Sequence, residues 1–200
     1  DYHTVAAEYA AMMRDVADAL HAIGDVCIKV TNGGMAPGGT VNCECGGDGF
    51  TPGITSREFL TAMNAAVPGV FDRLDEFATH SYPAEGEGWG FFVPYDRAGP
   101  GLNYFATELT TIGRPDLPVL ITETGWTTDG GGNRDQIADW TESTYRDLWL
   151  TDSRILGVMP FMLRDGSWDN FAWARTDGTT YPVYDRIRAL RCSTIPGRCP

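Results

Sequence analysis

Basic residues are scarce in this chain: 15 Lys and Arg stand against 27 Asp and Glu in 200 residues, a formal charge of −12. A nucleic-acid backbone is held by Lys and Arg that displace its counterions, so the shortage argues against nucleic acid as a partner. Long apolar runs are missing as well. The longest, Leu117 to Ile121 and Gly157 to Leu163, are strand-length and interrupted by Pro118 and Pro160, whereas a membrane helix needs about 20 residues. No membrane span is expected. The chain opens at Asp1 with no Met, no basic stretch and no apolar leader, so a signal peptide is expected either to have been removed or to lie outside this piece. The acidic surplus reads as a solvated surface of the kind secreted proteins carry and names no partner. What is present, 42% hydrophobic and only 21% charged residues, is the composition of a folded domain with one sizeable core.

Cysteine is present but sparse, with five in all. Cys27 falls in the apolar run Val26-Cys27-Ile28 and is read as a buried thiol. Cys43 and Cys45 sit in a Gly-rich loop, and Cys192 and Cys199 flank the C-terminal tail. Four loop cysteines allow three pairings. The Cys43-Glu44-Cys45 spacing does not suit a structural zinc site, which wants two to four residues between paired ligands and a second pair. Disulfides are therefore the preferred reading, no metal is expected, and an extracellular or cell-surface setting follows.

Along the chain, Val5, Tyr9, Met12, Val16, Leu20 and Ile23 recur at helical spacing and predict a first helix with that apolar face. Gly24-Asp25 ends it, and the β-branched run Val26 to Thr31 predicts a strand. A Gly- and Pro-rich loop to Gly53 follows, then Thr55 with Glu58 three residues on predicts a capped helix continuing through Phe59, Leu60, Met63 and Val67. The same order of strand, long loop and helix repeats. Phe77 to Tyr82 leads to a helix at Leu102 to Ile112, Pro118 to Glu123 to one at Arg134 to Leu150, and Ile155 to Leu163 to one at Val183 to Leu190. Strands that alternate with helices imply a parallel sheet with crossovers, hence the α/β class. Every loop after a strand is long, and those after helices are short. This is the layout of a (β/α)8 TIM barrel, whose chemistry gathers at the C-terminal strand ends. Four units make half of such a barrel, so the 200 residues are read as a single partial domain whose upstream strands are missing. A half-barrel exposes strand edges and an apolar face. An N-terminal half-barrel or another copy of the chain is the partner expected to complete the sheet.

The strand Val119-Leu120-Ile121-Thr122-Glu123 places Val119, Ile121 and Glu123 on one face by simple alternation. A carboxylate thereby extends a line of residues expected to face the barrel. Gly125 permits a sharp turn that brings Trp126 to the rim. The strand before ends in Thr79-His80-Ser81-Tyr82-Pro83, and the strand after in Phe161-Met162-Leu163-Arg164-Asp165, with Trp168 close behind. Plain structural roles exist for each: a strand-end Glu pairs with an Arg such as Arg164, and a strand-end His or Tyr is satisfied by backbone or solvent. Lys29, in an apolar strand, is read as a structural ion pair.

Together the three strand ends resemble glycoside hydrolase clan A. The stretch Lys29 to Pro37 resembles the approach to and end of that clan's fifth strand, and Phe171 to Tyr184 resembles its closing segment, so the likeness covers about strands five to eight. The resemblance implies a retaining hydrolase of β-linked oligo- or polysaccharide. Glu123 takes the place of the nucleophile, with His80 and Tyr82 around it and Trp89, Trp126 and Trp168 at the sugar site, in a groove that also includes Phe91, Phe92 and Tyr95. Trp140 and Trp149, on a helix, are assigned to packing. Retaining enzymes use two carboxyl groups about 5 to 5.5 Å apart. The clan's acid/base Glu follows an Asn at the end of strand four, and this chain has no Asn-Glu pair. That residue is accordingly expected on the N-terminal half, with Glu85, Glu87 and Asp165 as weaker substitutes. A Trp common in the clan is replaced near Phe161. No cofactor is implied. The alternative is a non-catalytic half-barrel that binds carbohydrate or assembles with itself. A serine hydrolase is set aside because no Gly-x-Ser-x-Gly occurs.

Overall fold

The computed structural model describes residues 1–35, 42–43, 51–52, 55–83, 95, 104–129 and 132–194. Helix α1 (Tyr2–Ala22) is followed by a two-residue antiparallel pair, β1 (Asn42–Cys43) and β2 (Thr51–Pro52), then α2 (Ser56–Ala66) and a 3-10 turn (Val70–Arg73). Three units then alternate: β3 (Phe77–Thr79) and α3 (Tyr104–Thr111), β4 (Val119–Thr124) and α4 (Arg134–Thr144), β5 (Ile155–Pro160) and α5 (Pro182–Thr194). The strands form one parallel sheet in the order β3-β4-β5. Among the described residues no helix is long and apolar enough to cross a membrane.

Helix α2 starts where its sequence says. Thr55 Oγ1 accepts from the Glu58 amide at 3.1 Å and Glu58 Oε2 accepts from the Thr55 amide at 2.8 Å, the reciprocal cap that the Thr-x-x-Glu spacing predicts. Helix α4 is capped by Asn133, which accepts from the Gln136 amide, and runs on as a π-helical turn over Tyr145–Trp149.

Three expectations are corrected. Val26 to Thr31 is not a strand. Asp25 Oδ1 accepts from the Cys27 amide at 2.9 Å and its carbonyl from Ile28 at 3.1 Å, so after Gly24 at φ +73° the chain makes a tight turn that leaves Val26 82% exposed. Cys27 is consequently an exposed thiol and not a buried one. Beyond the turn, Val30 accepts from the Asp75 and Glu76 amides, and the Asn32 side chain both donates to Ala78 O (2.9 Å) and accepts from Ala78 N (2.9 Å). A side-chain amide thus takes the place of a strand partner at the edge of β3.

The buried face of α1 also differs from expectation. Ala6, Ala10, Met13 and Ala17 are buried, packed toward α2, whereas Val5, Met12, Val16 and Ile23 are 48% to 64% exposed. Small side chains let two helix backbones approach closely, so the alanine stripe, not the bulkier one, makes the contact. Third, Val119 and Ile121 are fully buried in the core shared with the helices, while Leu120 and Thr122 are only half covered. The apolar line of β4 therefore faces the helices and not the sheet's open side.

Lys29 lies 3.9 Å from Asp75, in the structural pairing expected of it. The side chains of Cys43, Cys45, Cys192 and Cys199, and with them the disulfide reading, lie outside the described residues.

Candidate active site

If β4 alternated without fault, Glu123 would follow Val119 and Ile121 into the helix layer. It does not. Ile121 pairs with Val158 and Thr124 with Pro160, so two residues of β4, Thr122 and Glu123, stand opposite one residue of β5. This β-bulge re-aims the strand end. Thr124 is buried and donates to Ser81 O at 2.6 Å, and Glu123 turns to the sheet's open side, its carboxylate 28% exposed.

There Glu123 Oε2 meets His80 Nδ1 at 2.9 Å. Tyr82, two residues further on, donates its hydroxyl to the same carboxylate. β3 and β4 lie side by side in parallel register, Thr79 beside Ile121, so the ends of adjacent strands bring these three side chains together. Burial holds the His80 imidazole below its ordinary pKa, partly offset by the charge of Glu123. Burial likewise raises the Tyr82 phenol, reinforced by the neighbouring carboxylate. Both groups thus carry their protons as neutral donors, and both donate to Glu123. The carboxylate is oriented from two sides.

Gly34 packs directly against His80 and Thr122. A Cβ there would stand 2.6 Å from His80 Nε2 and 2.7 Å from Thr122 Oγ1, so only glycine lets the backbone approach this closely. Gly125 is needed for the same reason: its Cβ would stand 2.5 Å from the Phe161 carbonyl oxygen.

The aromatic residues divide. Trp168 is 51% exposed and stands edge-on to Phe161, ring centroids 5.8 Å apart, with Phe171 beside both. An indole face is available there. Trp126 was expected at the rim, but it is 3% exposed and packs with Tyr95 and Trp149 at 6.3 and 6.4 Å. Tyr95, expected in the groove, is buried in the same cluster. Trp149 packs as expected. Trp89, Phe91, Phe92, Glu85 and Glu87 lie outside the described residues.

Arg164 is exposed, and among the described residues the nitrogen that meets Glu123 is His80 Nδ1. Asp165 accepts from the Ser167 and Trp168 amides at 2.7 and 3.2 Å, which gives it a turn-forming role. The described residues hold no group of three or more His, Cys, Asp or Glu arranged to bind a metal.

Glu108 escaped the sequence reading. It lies on α3 with Phe105 and Leu109, just ahead of Ile112, fully buried, and accepts from Thr79 Oγ1 at 2.6 Å. Its signal was there: positions 105, 108, 109 and 112 share one helical face.

No protein-family model matches the chain, and no curated protein matches it. Solved structures resemble it. A GH128 (subgroup II) endo-β-1,3-glucanase from Sorangium cellulosum superposes with a TM-score of 0.58 at 21% identity, over 90% of this chain and 61% of its own. The GH39 enzyme from Xanthomonas axonopodis pv. citri superposes with a TM-score of 0.51 at 17% identity, over 92% of this chain and 36% of its own. The chain spans less than two thirds of either. At these identities the likeness is one of fold: the chain has an α/β fold, with a three-stranded parallel sheet, shared with glycoside hydrolases.

Proposed function

We propose that this chain is the C-terminal half of a (β/α)8 barrel that hydrolyses β-linked glucan with retention of configuration, Glu123 being the nucleophile. One observation carries the reading: a strand-end carboxylate, re-aimed by a bulge, that accepts hydrogen bonds from His80 and Tyr82 on the open side of the sheet. In the first step Glu123 attacks the anomeric carbon and displaces the leaving oxygen, which takes a proton from a second carboxylic acid. Water, deprotonated by that second group, then releases the sugar. The second group belongs to the N-terminal half of the barrel, outside these residues. His80 and Tyr82 fix the angle of attack, and Trp168 offers an indole face for a sugar ring. The fold likeness to an endo-β-1,3-glucanase makes a soluble β-1,3-glucan the first substrate to try. An extracellular or cell-surface setting is part of the proposal, since a polymeric glucan is met there.

The test uses the native polypeptide that carries these residues, treated with a 2-deoxy-2-fluoro β-glucosyl fluoride. The label is expected on the peptide containing Glu123, and Glu123→Gln is expected to abolish turnover while leaving thermal unfolding unchanged. Unchanged turnover in that variant, or a label elsewhere, overturns the assignment.

The open apolar stripe of α1 and the outer edge of β5 favour a second reading, a non-catalytic half-barrel that binds carbohydrate and pairs with another copy. Glucan binding without turnover would select it.

A further inference from the structure

β3 has three residues in the ladder, Phe77 to Thr79, yet the two side chains that grip Glu123 come from His80 and Tyr82, beyond its end. Something other than the ladder must hold that end in place. Alternation supplies the geometry: 80 and 82 point to the front, and 79 and 81 to the back. Behind the sheet, Thr79 Oγ1 donates to Glu108 Oε2 at 2.6 Å and lies 3.3 Å from Ser81 Oγ. Ser81 O in turn accepts from Thr124 Oγ1 at 2.6 Å, and Thr79 O from Thr122 Oγ1 at 3.3 Å. The two residues behind the strand are thus tied to α3 on one side and to β4 on the other.

We propose that Glu108 is a positioning residue: its carboxyl, receiving Thr79 Oγ1 behind the sheet, holds the end of β3 where His80 and Tyr82 meet Glu123 in front. For the reaction, this rests on the hydrolase reading above.

The energetics support a geometric role. Glu108 is fully buried and has no basic partner among the described residues. Among the described residues its Oε1 and the nearby Ser56 Oγ lack a partner of good hydrogen-bond geometry, although the Ser56 hydroxyl lies close enough to favour the carboxylate. Burying an acid so poorly paired costs stability. A leucine would fill the space without that cost. The carboxyl adds what a leucine lacks, a directional acceptor for Thr79. Burial raises Glu108 to about 7, with the Thr79 and Ser56 hydroxyls opposing, and either protonation state leaves an oxygen to accept from Thr79. Glutamine keeps that oxygen too.

The test compares Glu108→Leu, Glu108→Gln and Thr79→Val in the full chain. The first readout is the His80 Nδ1–H proton resonance, protected from water exchange while it is bonded to Glu123 and assigned by its loss in His80→Gln. It needs no turnover, so failure of the hydrolase reading leaves it intact. Glu108→Leu and Thr79→Val are expected to broaden that resonance by exchange without a matching fall in Tm, and Glu108→Gln to retain it. In the active protein Glu108→Leu and Thr79→Val are expected to lose tenfold or more in kcat with KM within twofold. A wild-type resonance in both Glu108→Leu and Thr79→Val overturns the proposal, as does Glu108→Gln losing it as fully as Glu108→Leu. If Glu108→Leu fails to fold, Thr79→Val decides by the same criterion.

Discussion

At the scale of single residues, the site depends on one missing side chain and one buried acid. Gly34 gives His80 its place, since a methyl group there would stand 2.6 Å from His80 Nε2. On the hydrolase proposal, Gly34→Ala is expected to displace the imidazole and lower kcat by about tenfold to a hundredfold, with kinetics on β-1,3-glucan as the check. Glu108 is expected to make stability depend on pH near neutrality. Its carboxyl is raised from 4.5 to about 7 in the folded chain, chiefly by burial, with Thr79, Ser56 and Tyr95 around it. Between those values the unfolded chain has released the proton and the folded chain still holds it, so stability falls as pH rises and levels off above about 7. The full effect is about 3 kcal/mol. Urea denaturation of wild type and Glu108→Gln from pH 4 to 8 measures it, and the glutamine variant is expected to lack this decline.

At the scale of elements, connections depend on polar staples more than on ladder hydrogen bonds. Asp75 accepts from His21 Nε2 and from the Val30 amide, each at 2.9 Å, and so joins the end of α1, the segment before Asn32 and the start of β3. Asp75→Ala is expected to cost about 1 to 2 kcal/mol, most of it from the unsatisfied Val30 amide. The ion-pair share is small because the carboxylate is 27% exposed and screened. His21, then the Val30 amide, hold the Asp75 carboxyl below its usual range. Its contribution is therefore present above about pH 3.8 and lost as pH falls through the lower folded value. Chemical denaturation at pH 3 and pH 6 checks both sign and size. At the other end of the sheet, Arg134 donates to three carbonyls, of Asp169, Asn170 and Ala172, and lies 3.7 Å from the Tyr181 ring centre, holding the loop between β5 and α5 against α4.

At the scale of the whole molecule, two groups of exposed apolar side chains stand out among the described residues. One is the stripe Val5, Met12, Val16 and Ile23 of α1, the other Leu156, Met159 and Leu163 on and beyond β5. A strand edge with apolar neighbours invites pairing with another chain. The 200-residue chain purified alone is expected to self-associate and to bind a hydrophobic dye, measured by light scattering and fluorescence. Met12→Glu with Met159→Lys is expected to reduce both.

Much of this was legible from local chemistry. The Thr55 and Glu58 cap, the three strand-loop-helix units and the place of Glu123 at a strand end follow from spacing, because caps, alternation and helical periodicity act over a few residues, whereas the choice of His80 and Tyr82 as its neighbours is implied by the resemblance to glycoside hydrolase clan A. The face of α1, the burial of Trp126 and the role of Glu108 were settled by what packs alongside. An apolar stripe says that a helix has a partner, and not which of two stripes finds it. Glu123 shows the division most clearly. Its sequence named the carboxylate, and strict alternation would have aimed it at the helices. Only the register between β4 and β5, with two residues set against one, turned it toward His80, and that register is a relation between strands more than thirty residues apart.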